Sequence, residues 1–368
     1  MRVALIDYTS PGSACRAAIR DLLRGPDVIC SMPLESRMQN RASRTGFVVL
    51  CASELAAVRL GSRIQALKVE GVRIQEFPIP ETEAIDRPIV ILGAPRAGTT
   101  LLFESLSQIQ GVWTVGRESQ PIIDHTPQLR ALEGADSHRL TRYHASPAAI
   151  RSIRSGFIAA LRDRDNRLYV EALAEGQNPN IRFLEKTPRN SLRIPFLQEV
   201  FGDPRFIFIH RDATTNVASL IDGWAAGRFS AYHVDGRRWS FLLPPDWREM
   251  AQRPIEEIAA FQWRSVNECI LEDLGNVPSG SWRAVSYNDL VRRPRETLLR
   301  LCDFIGLQPD AHFEKILSEP LRLSSSSLTP PDPEKWRRHS AALEKLLPSL
   351  NDTSLRLAAS GSDSPAPP

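Results

Sequence analysis

A stretch around residue 93 has the residue types and spacing of an anion-binding loop. A four-residue apolar run, Ile89–Leu92, is followed by Gly93, Gly98 and apolar residues at helical spacing. A strand, a glycine-bounded loop and a helix in this order present backbone N–H groups and a helix N-terminus to one point, which favours an anion there. The one cation within the loop is Arg96. The stretch therefore predicts a phosphate-binding device.

The spacing of the two glycines is that of the nucleotide loop GxxxxGK[ST], with one change. Where that motif has lysine, this chain has Thr99. Loss of the lysine that reaches the terminal phosphates argues against hydrolysis of ATP or GTP. A kinase that acts on a small molecule through a modified phosphate loop stays an alternative, and it would require ATP and Mg²⁺.

A second anion site is predicted where another apolar run, Phe206–Ile209, ends. Arg211 follows this run, at the strand end where α/β proteins place their ligands. Asp212 stands at a helix-cap position, and Ser219 lies about two helical turns later. A guanidinium matches phosphate geometry bidentately, so Lys should not replace Arg211 well.

Strands that alternate with helices predict an α/β fold that positions these residues. The expected architecture is a P-loop-like three-layer sandwich, in which helices flank a central, mainly parallel sheet. Residues 1–86 are predicted to form an N-terminal α/β extension that ends in a linker from Phe77. Residues 87–345 form the main domain, with a long irregular stretch at 225–250. Residues 346–368 form a C-terminal segment that is disordered at its end, from Ala358 onward.

Composition and charge narrow the classes of function. The 368 residues include 42% hydrophobic and 24% charged side chains, as in an ordinary globular protein in water. A formal net charge of +3 is compatible with an anionic ligand but is far from the basic excess of a nucleic-acid binder. No apolar run approaches the length of a membrane span or a signal-peptide core. We expect neither a nucleic-acid partner nor a membrane span.

The five cysteines are scattered and form no C-x-x-C pair. An odd, scattered set predicts neither a disulfide framework nor a zinc site. It favours a reducing compartment, and the cytoplasm is the predicted location.

The motifs resemble those of sulfotransferases that use 3′-phosphoadenosine 5′-phosphosulfate (PAPS). Gly93–Leu102 is similar to their 5′-phosphosulfate-binding loop, and Phe206–Ser219 is similar to their 3′-phosphate-binding strand and helix. A matching Glu-Lys-Thr-Pro stretch, Glu185–Pro188, lies between the two. Arg in the loop, in place of Lys, is the pattern of bacterial and tyrosylprotein-type members. The resemblance extends over residues 87–345.

The resemblance implies PAPS as the cofactor, 3′-phosphoadenosine 5′-phosphate (PAP) as its product, and a set of residues that hold them. The loop would bind the 5′-phosphosulfate, and the Arg211 unit would bind the 3′-phosphate. Tyr287 matches a family position that contacts the nucleotide, and Lys335 matches a lysine that closes over PAPS. Ser324–Ser327 match a stretch near the sulfate. The predicted cofactor-binding residues are Arg96, Ala97, Gly98, Thr99, Thr100, Arg211, Ser219, Tyr287 and Lys335.

The resemblance also implies catalytic roles. Glu118 follows the second short strand in a Gly-x-Glu setting and would take the proton of the acceptor hydroxyl. Lys186 and Arg96 would stabilise charge that develops in the transition state. His125 is the alternative base, and His210 is a further one at the end of a buried strand. A sulfuryl group carries less charge than a phosphoryl group, so no metal is expected.

The predicted reaction is in-line transfer of the sulfuryl group of PAPS to a hydroxyl of a small molecule, a sugar or a secondary metabolite. Residues 119–180 and 225–250 are expected to line the acceptor pocket. The chain departs from the family pattern at Ala97, where members often have Ser, and it has no Arg shortly after Ser219. A non-catalytic PAP-binding protein stays an alternative. The acceptor and the oligomeric state do not follow from the sequence.

Overall fold

The protein is represented by a computed structural model that describes most of the chain. The described residues are 2–8, 18–19, 21–24, 28–33, 46–51, 54–67, 72–78, 85, 87–124, 126, 129, 137–177, 181–234, 237–330 and 332–360. His125, the alternative base, lies outside them, as does the predicted disordered end at 361–368.

Within these residues the chain alternates between strands and helices. The strands are β1 (Arg2–Tyr8), β2 (Val28–Pro33), β3 (Gly46–Cys51), β4 (Val72–Pro78), β5 (Ile89–Leu92), β6 (Val112–Trp113), β7 (Arg182–Lys186), β8 (Arg205–His210), β9 (Ser230–Val234), β10 (Arg237–Ser240) and β11 (Trp282–Ser286). The helices are α1 (Glu54–Gln65), α2 (Thr99–Leu106), α3 (Gln120–Asp124), α4 (Pro147–Ala160), α5 (Tyr169–Ala174), α6 (Ile194–Phe201), α7 (Ala213–Ala226), α8 (Ile255–Leu274), α9 (Tyr287–Arg292), α10 (Pro294–Ile305), α11 (Ala311–Leu317), α12 (Ser340–Leu346) and α13 (Asn351–Ser360).

The central sheet is parallel and is covered on both faces, as the apolar runs predict. Its order is β11-β8-β5-β7-β6, and every pairing in it is parallel. Along β5, Ile89 and Ile91 pack into one hydrophobic cluster. Val90 and Leu92 pack into another. Because successive strand residues point to opposite faces, the two clusters are the layers on either side of the sheet, and the three-layer prediction is confirmed.

The N-terminal region forms a sheet of its own, antiparallel and in the order β2-β3-β1-β4. Helical residues lie between β1 and β2, and α1 lies between β3 and β4. This order of elements is the split β-α-β, or ferredoxin-like, arrangement. Strands β2 to β4 contact α3, α4 and α5 of the region that follows the central β6. The N-terminal sheet therefore packs against α3, the helix that begins two residues after Glu118.

Three local predictions differ from the structure. Phe77, predicted to open a linker, lies in β4 instead. The stretch 225–250, predicted to be irregular, contains the hairpin of β9 and β10. Helix α13 continues to Ser360, three residues into the stretch predicted to be disordered. In each case pairing or packing with distant residues orders a segment whose local sequence carries few helix or strand signals.

Candidate active site

The predicted site residues come from the C-terminal ends of the five central strands. Gly93, Arg211 and Tyr287 lie at or just beyond the ends of β5, β8 and β11, and Lys186 is the last residue of β7. Glu118 lies five residues after β6. Strand β5 has β7 on one side and β8 on the other, so the chain order reverses there. A parallel sheet binds its ligands at such a point.

One cavity of about 1060 Å³ joins most of these groups. Its wall includes the loop, Glu118, the start of α7 and parts of the stretches 321–330 and 332–336. The lining residues that were also predicted to bind the cofactor are Arg96, Gly98, Thr99, Thr100, Arg211, Ser219, Tyr287 and Lys335. Ligand pockets usually measure about 300–1,000 Å³. This cavity therefore has room for a nucleotide and a second substrate.

Hydrogen bonds from neighbouring elements hold the loop in place. The Ser191 hydroxyl accepts from the Gly93 N–H at 2.9 Å and donates to the Gly93 carbonyl at 3.0 Å. The Asn216 amide donates to the Pro95 carbonyl at 2.9 Å. Gly98, the N-cap of α2, provides no side-chain acceptor for the first N–H groups of the helix. The helix N-terminus that faces the cavity therefore suits an anion.

Ala97 lies inside the loop, where its N–H has a backbone partner. Its N–H, expected to bind the 5′-phosphosulfate, donates to the Ala94 carbonyl at 3.1 Å, and the residue is fully buried. Ala97 therefore closes a turn inside the loop, whereas Gly98, Thr99 and Thr100 line the cavity.

Arg96 brings the two predicted anion sites together. Its backbone is in the left-handed region, with φ of 70°, which few non-glycine residues adopt. The guanidinium lies over the Phe229 ring at 5.0 Å, and its Nε donates to the Ser219 hydroxyl at 3.3 Å. Its Nη1 donates to the Ser326 carbonyl at 2.8 Å. Arg96 thus extends from the loop towards the residue predicted to bind the 3′-phosphate.

The Arg211 side chain is fixed by Thr215 and Tyr287 on the same side of the cavity as Arg96. Its Nε donates to the Thr215 hydroxyl at 2.9 Å, and its guanidinium lies 4.5 Å from the centre of the Tyr287 ring. Burial lowers the pKa of both Arg211 and Arg96, and the charge of Arg211 lowers the pKa of Arg96 further. Two partly buried cations that repel each other would be stabilised by an anion between them.

Gly98 and Tyr287 pack so closely that a side chain at position 98 has no room. A Cβ there would lie 2.5 Å from Tyr287 Cδ2, and the φ of 105° is unfavourable for other residues. We expect Gly98→Ala to lower the free energy of unfolding by about 1–3 kcal/mol and to weaken PAP binding. Thermal melts and calorimetric titration with PAP measure both effects.

Gly111→Ala is the matched control for this substitution. Gly111 also has a positive φ, of 80°, but nothing lies within 4 Å of the added Cβ. It should cost stability through backbone strain alone and leave PAP binding unchanged. Equal PAP affinities in the two variants would show that Gly98 does not shape the nucleotide site.

Glu118 and Lys186 form an ion pair at the edge of the cavity. Lys186 Nζ lies 2.9 Å from Glu118 Oε1, and the Gln120 amide donates to Oε2 at 2.5 Å. The Lys186 side chain is 6% exposed and that of Glu118 is 36% exposed. Burial would raise the pKa of Glu118, but the charge and hydrogen bond of Lys186 hold it below its usual value. Glu118 is therefore ionised at neutral pH, as a base must be.

His210, the further candidate base, lies at the end of β8 with its ring 5.8 Å from that of Phe208. Burial lowers the pKa of its imidazole. Glu118 lines the cavity and His210 does not, so the geometry favours Glu118 as the base.

Comparison with known proteins places the chain in a family. The model of the sulfotransferase family matches residues 88–311, more than half of the chain. The chain belongs to the sulfotransferase family. The matched region contains the loop, Glu118, Lys186 and the Arg211 unit. A search of curated proteins found no match.

Several sulfotransferases of known structure are similar to this one. The sulfotransferase domain from the curacin biosynthetic pathway is 16% identical over 75% of this chain and 98% of its own, with a TM-score of 0.38. A sulfotransferase from Alicyclobacillus acidocaldarius is 14% identical over 75% and 96%, with a TM-score of 0.41. One from Mycobacterium tuberculosis H37Rv is 17% identical over 72% and 77%, with a TM-score of 0.40. At these low scores, membership rests on the family model alone.

In this member of the sulfotransferase family, residues 321–330 and 332–339 form a strap across the cavity. Asp222 of α7 holds its C-terminal end through Arg338, through His339 at 2.9 Å and through Lys335 at 3.6 Å. Burial would raise the pKa of Asp222, but hydrogen bonds from His339 and Arg338 hold it below its usual value. The strap carries Lys335, which the resemblance predicts to close over PAPS, and this residue lines the cavity.

We expect Asp222→Asn to loosen the strap and to speed the dissociation of PAP by about tenfold, because most effects on affinity appear in the off-rate. Stopped-flow displacement of PAP measures this rate. Glu314→Gln is the control, since Glu314 pairs with Arg295 on the surface, away from the strap. An unchanged off-rate in Asp222→Asn would mean that the strap is not held by this ion cluster.

Sequence reasoning missed Ser191, Asn216 and Asp222. Ser191 and Asn216 act through carbonyl and N–H groups of a loop that is distant in the chain. Asp222 lies in the middle of a helix, and a carboxylate there is usually a solvated surface group. One signal was available in the sequence: the strap carries the basic run Lys335–His339, which an acidic partner would stabilise.

In the part of the chain that the structure describes, no helix is long and apolar enough to cross a membrane. No group of three or more described His, Cys, Asp or Glu side chains is placed to hold a metal ion.

Proposed function

We propose that the chain transfers the sulfuryl group of PAPS to a hydroxyl of an acceptor molecule. One observation carries this proposal: a single cavity is lined by the helix N-terminus after Gly98, by Arg211 with Ser219, and by Glu118. It combines two places for anions with an ionised carboxylate. Family membership supports sulfuryl transfer in general, and these groups support PAPS as its source.

The residues present fit PAPS. The cofactor carries anionic groups at two positions of its ribose and so requires two sets of donors. The N-terminus of α2 is one set, and the guanidiniums of Arg96 and Arg211 with the Ser219 hydroxyl are the other. Burial lowers the pKa of each guanidinium, and an anion bound between the two would offset the burial and their repulsion. Tyr287, which packs on Gly98 and Arg211, joins the two sets.

When bound, PAPS supplies the sulfuryl group and leaves PAP in the site. Glu118 takes the proton from the acceptor hydroxyl, a role that general bases fill with accelerations of about 10²–10⁴. Lys186 holds the Glu118 carboxylate in the ionised form before transfer. We propose that its ammonium, which is nearly buried, also stabilises charge that develops beside it.

Thr99 weakens the kinase alternative, since the loop has no lysine for the terminal phosphates of ATP. The Glu118–Lys186 pair weakens the non-catalytic alternative, because PAP binding alone requires no ionised carboxylate at the cavity. We also propose that the acceptor is a small hydroxylated molecule and that the protein works in the cytoplasm.

Thermal shift with three nucleotides tests the cofactor. PAP at 100 times its Kd should stabilise the full chain by about 2.7 kcal/mol. ADP and ATP with Mg²⁺ should give smaller shifts, because neither carries a 3′-phosphate for Arg211. A shift with ATP and Mg²⁺ that exceeds the shift with PAP would favour the kinase alternative.

A further inference from the structure

A fully buried carboxyl lies behind the Glu118–Lys186 pair. Glu185 is the residue before Lys186 on β7, and it is 0% exposed. Burial raises the pKa of Glu185 to about 7, so much of this carboxyl is neutral at neutral pH. Burial of a polar group away from water is costly unless hydrogen bonds replace those to water. Such a group calls for a role, and the reaction described above does not use it.

Glu185 connects two segments that are distant in the chain. Its Oε1 accepts from the Ser119 hydroxyl at 2.6 Å and from the Asn190 amide at 2.9 Å. The Ser119 N–H donates to the Thr187 hydroxyl at 2.8 Å, and the two hydroxyls lie 3.1 Å apart. All four residues are 0% exposed. This buried network fastens the loop after β6 to the end of β7.

The network determines where the ion pair sits. Ser119 directly follows Glu118, and Glu185 directly precedes Lys186. Each bond between Ser119 and the end of β7 therefore limits the distance between the carboxylate and the ammonium. The Glu118 side chain is partly exposed. The hydrogen bonds given above for its carboxylate come from two flexible side chains, those of Lys186 and Gln120. Its position depends on the residue next to it.

We propose that Glu185 is a positioning residue that, through Ser119, sets the place of the Glu118 carboxylate relative to Lys186. The role rests on the proposed function of Glu118 as the base. Glu185 touches neither the cavity nor a reacting atom, and it acts through the backbone of residues 118–119. Small misplacements of a catalytic group are costly, so the effect on turnover should exceed the effect on binding.

Ser119→Ala and Glu185→Ala test this proposal. Each should lower kcat by about 10- to 100-fold and leave the Kd of PAP unchanged. Glu185→Gln keeps the shape and the accepting oxygen, and it should restore kcat to within about threefold of the wild type. Thr353→Ala is the control, because it removes a buried hydroxyl that donates to Glu268, far from the cavity. Turnover is followed with ³⁵S-labelled PAPS and 4-nitrophenol.

A crystal structure of the Ser119→Ala variant with PAP gives a readout that needs no acceptor. The Glu118–Lys186 distance should lengthen from 2.9 Å to beyond hydrogen-bonding range. An unmoved pair, or unchanged kcat in both alanine variants, overturns the proposal. If Glu185→Ala does not fold, Ser119→Ala decides it alone. Failure of the wild type to bind PAP would overturn the proposed function instead, while the Glu118–Lys186 distance would still decide the positioning role.

Discussion

Replacement of Glu118 by glutamine should lower kcat for sulfuryl transfer by about 100- to 10,000-fold, the range for loss of a general base. Glutamine keeps the size of the side chain and its hydrogen bond from Lys186, but it cannot take a proton. The Kd of PAP should change little, because Glu118 lies after β6, apart from the guanidinium groups. Single-turnover assays with labelled PAPS measure the loss directly.

The dependence of the rate on pH gives the same prediction a second check. Lys186 holds the pKa of Glu118 below its usual value, so the base is ionised across the neutral range. The wild-type rate should fall only as the pH drops through that lowered pKa, and this acid limb should vanish in Glu118→Gln. Glu171→Gln, which changes a helix-capping carboxylate far from the cavity, is the control. Full turnover in Glu118→Gln would show that another residue acts as the general base.

Replacement of Arg211 by alanine should raise the Kd of PAP by about 30- to 1,000-fold, as expected when one partner of a partly buried charge pair is removed. Arg211→Lys should recover only part of the affinity, since an ammonium cannot reproduce the bidentate fork. The stacking of the guanidinium on Tyr287 would also be lost. Isothermal titration with PAP measures all three proteins.

Arg295→Ala is the matched control for Arg211. Arg295 pairs with Glu314 on the surface, with about half of its side chain exposed, so its loss removes a cation without touching the cavity. The PAP affinity of this variant should match the wild type. A Kd within threefold of the wild type for Arg211→Ala would contradict the assignment of this residue to the 3′-phosphate.

The central sheet could be predicted because its strands are short apolar runs, and a strand covered on both faces has that pattern. The sequence also predicted Arg211 at a strand end, where α/β proteins bind ligands. In the structure Gly93, Lys186 and Tyr287 lie at the same edge of the sheet, because parallel strands end together. The hairpin of β9 and β10 could not be predicted from residues 225–250. Its order comes from cross-strand pairing and from tryptophan packing, which includes Trp224 and Trp239.

The direction of the Arg96 side chain is a second feature that could not be predicted from the sequence. It depends on a left-handed backbone at a non-glycine residue, which the surrounding loop imposes. Ala97 shows the same limit, because the motif predicts an N–H donor and the loop turn uses that N–H internally. The Glu185 network is a third case, since it joins side chains from two segments that are distant in the chain. The roles of the site residues and the predicted domain boundaries stay predictions.

Transfer of ³⁵S from labelled PAPS is the measurement that tests the central claim most directly. The full chain is incubated with labelled PAPS and a panel of phenols, primary alcohols and sugars, beside Glu118→Gln and Arg211→Ala. The account predicts that the wild type moves label to at least one hydroxylated acceptor and releases PAP, and that both variants lose this transfer. A wild type that neither binds PAPS nor consumes it would contradict the account.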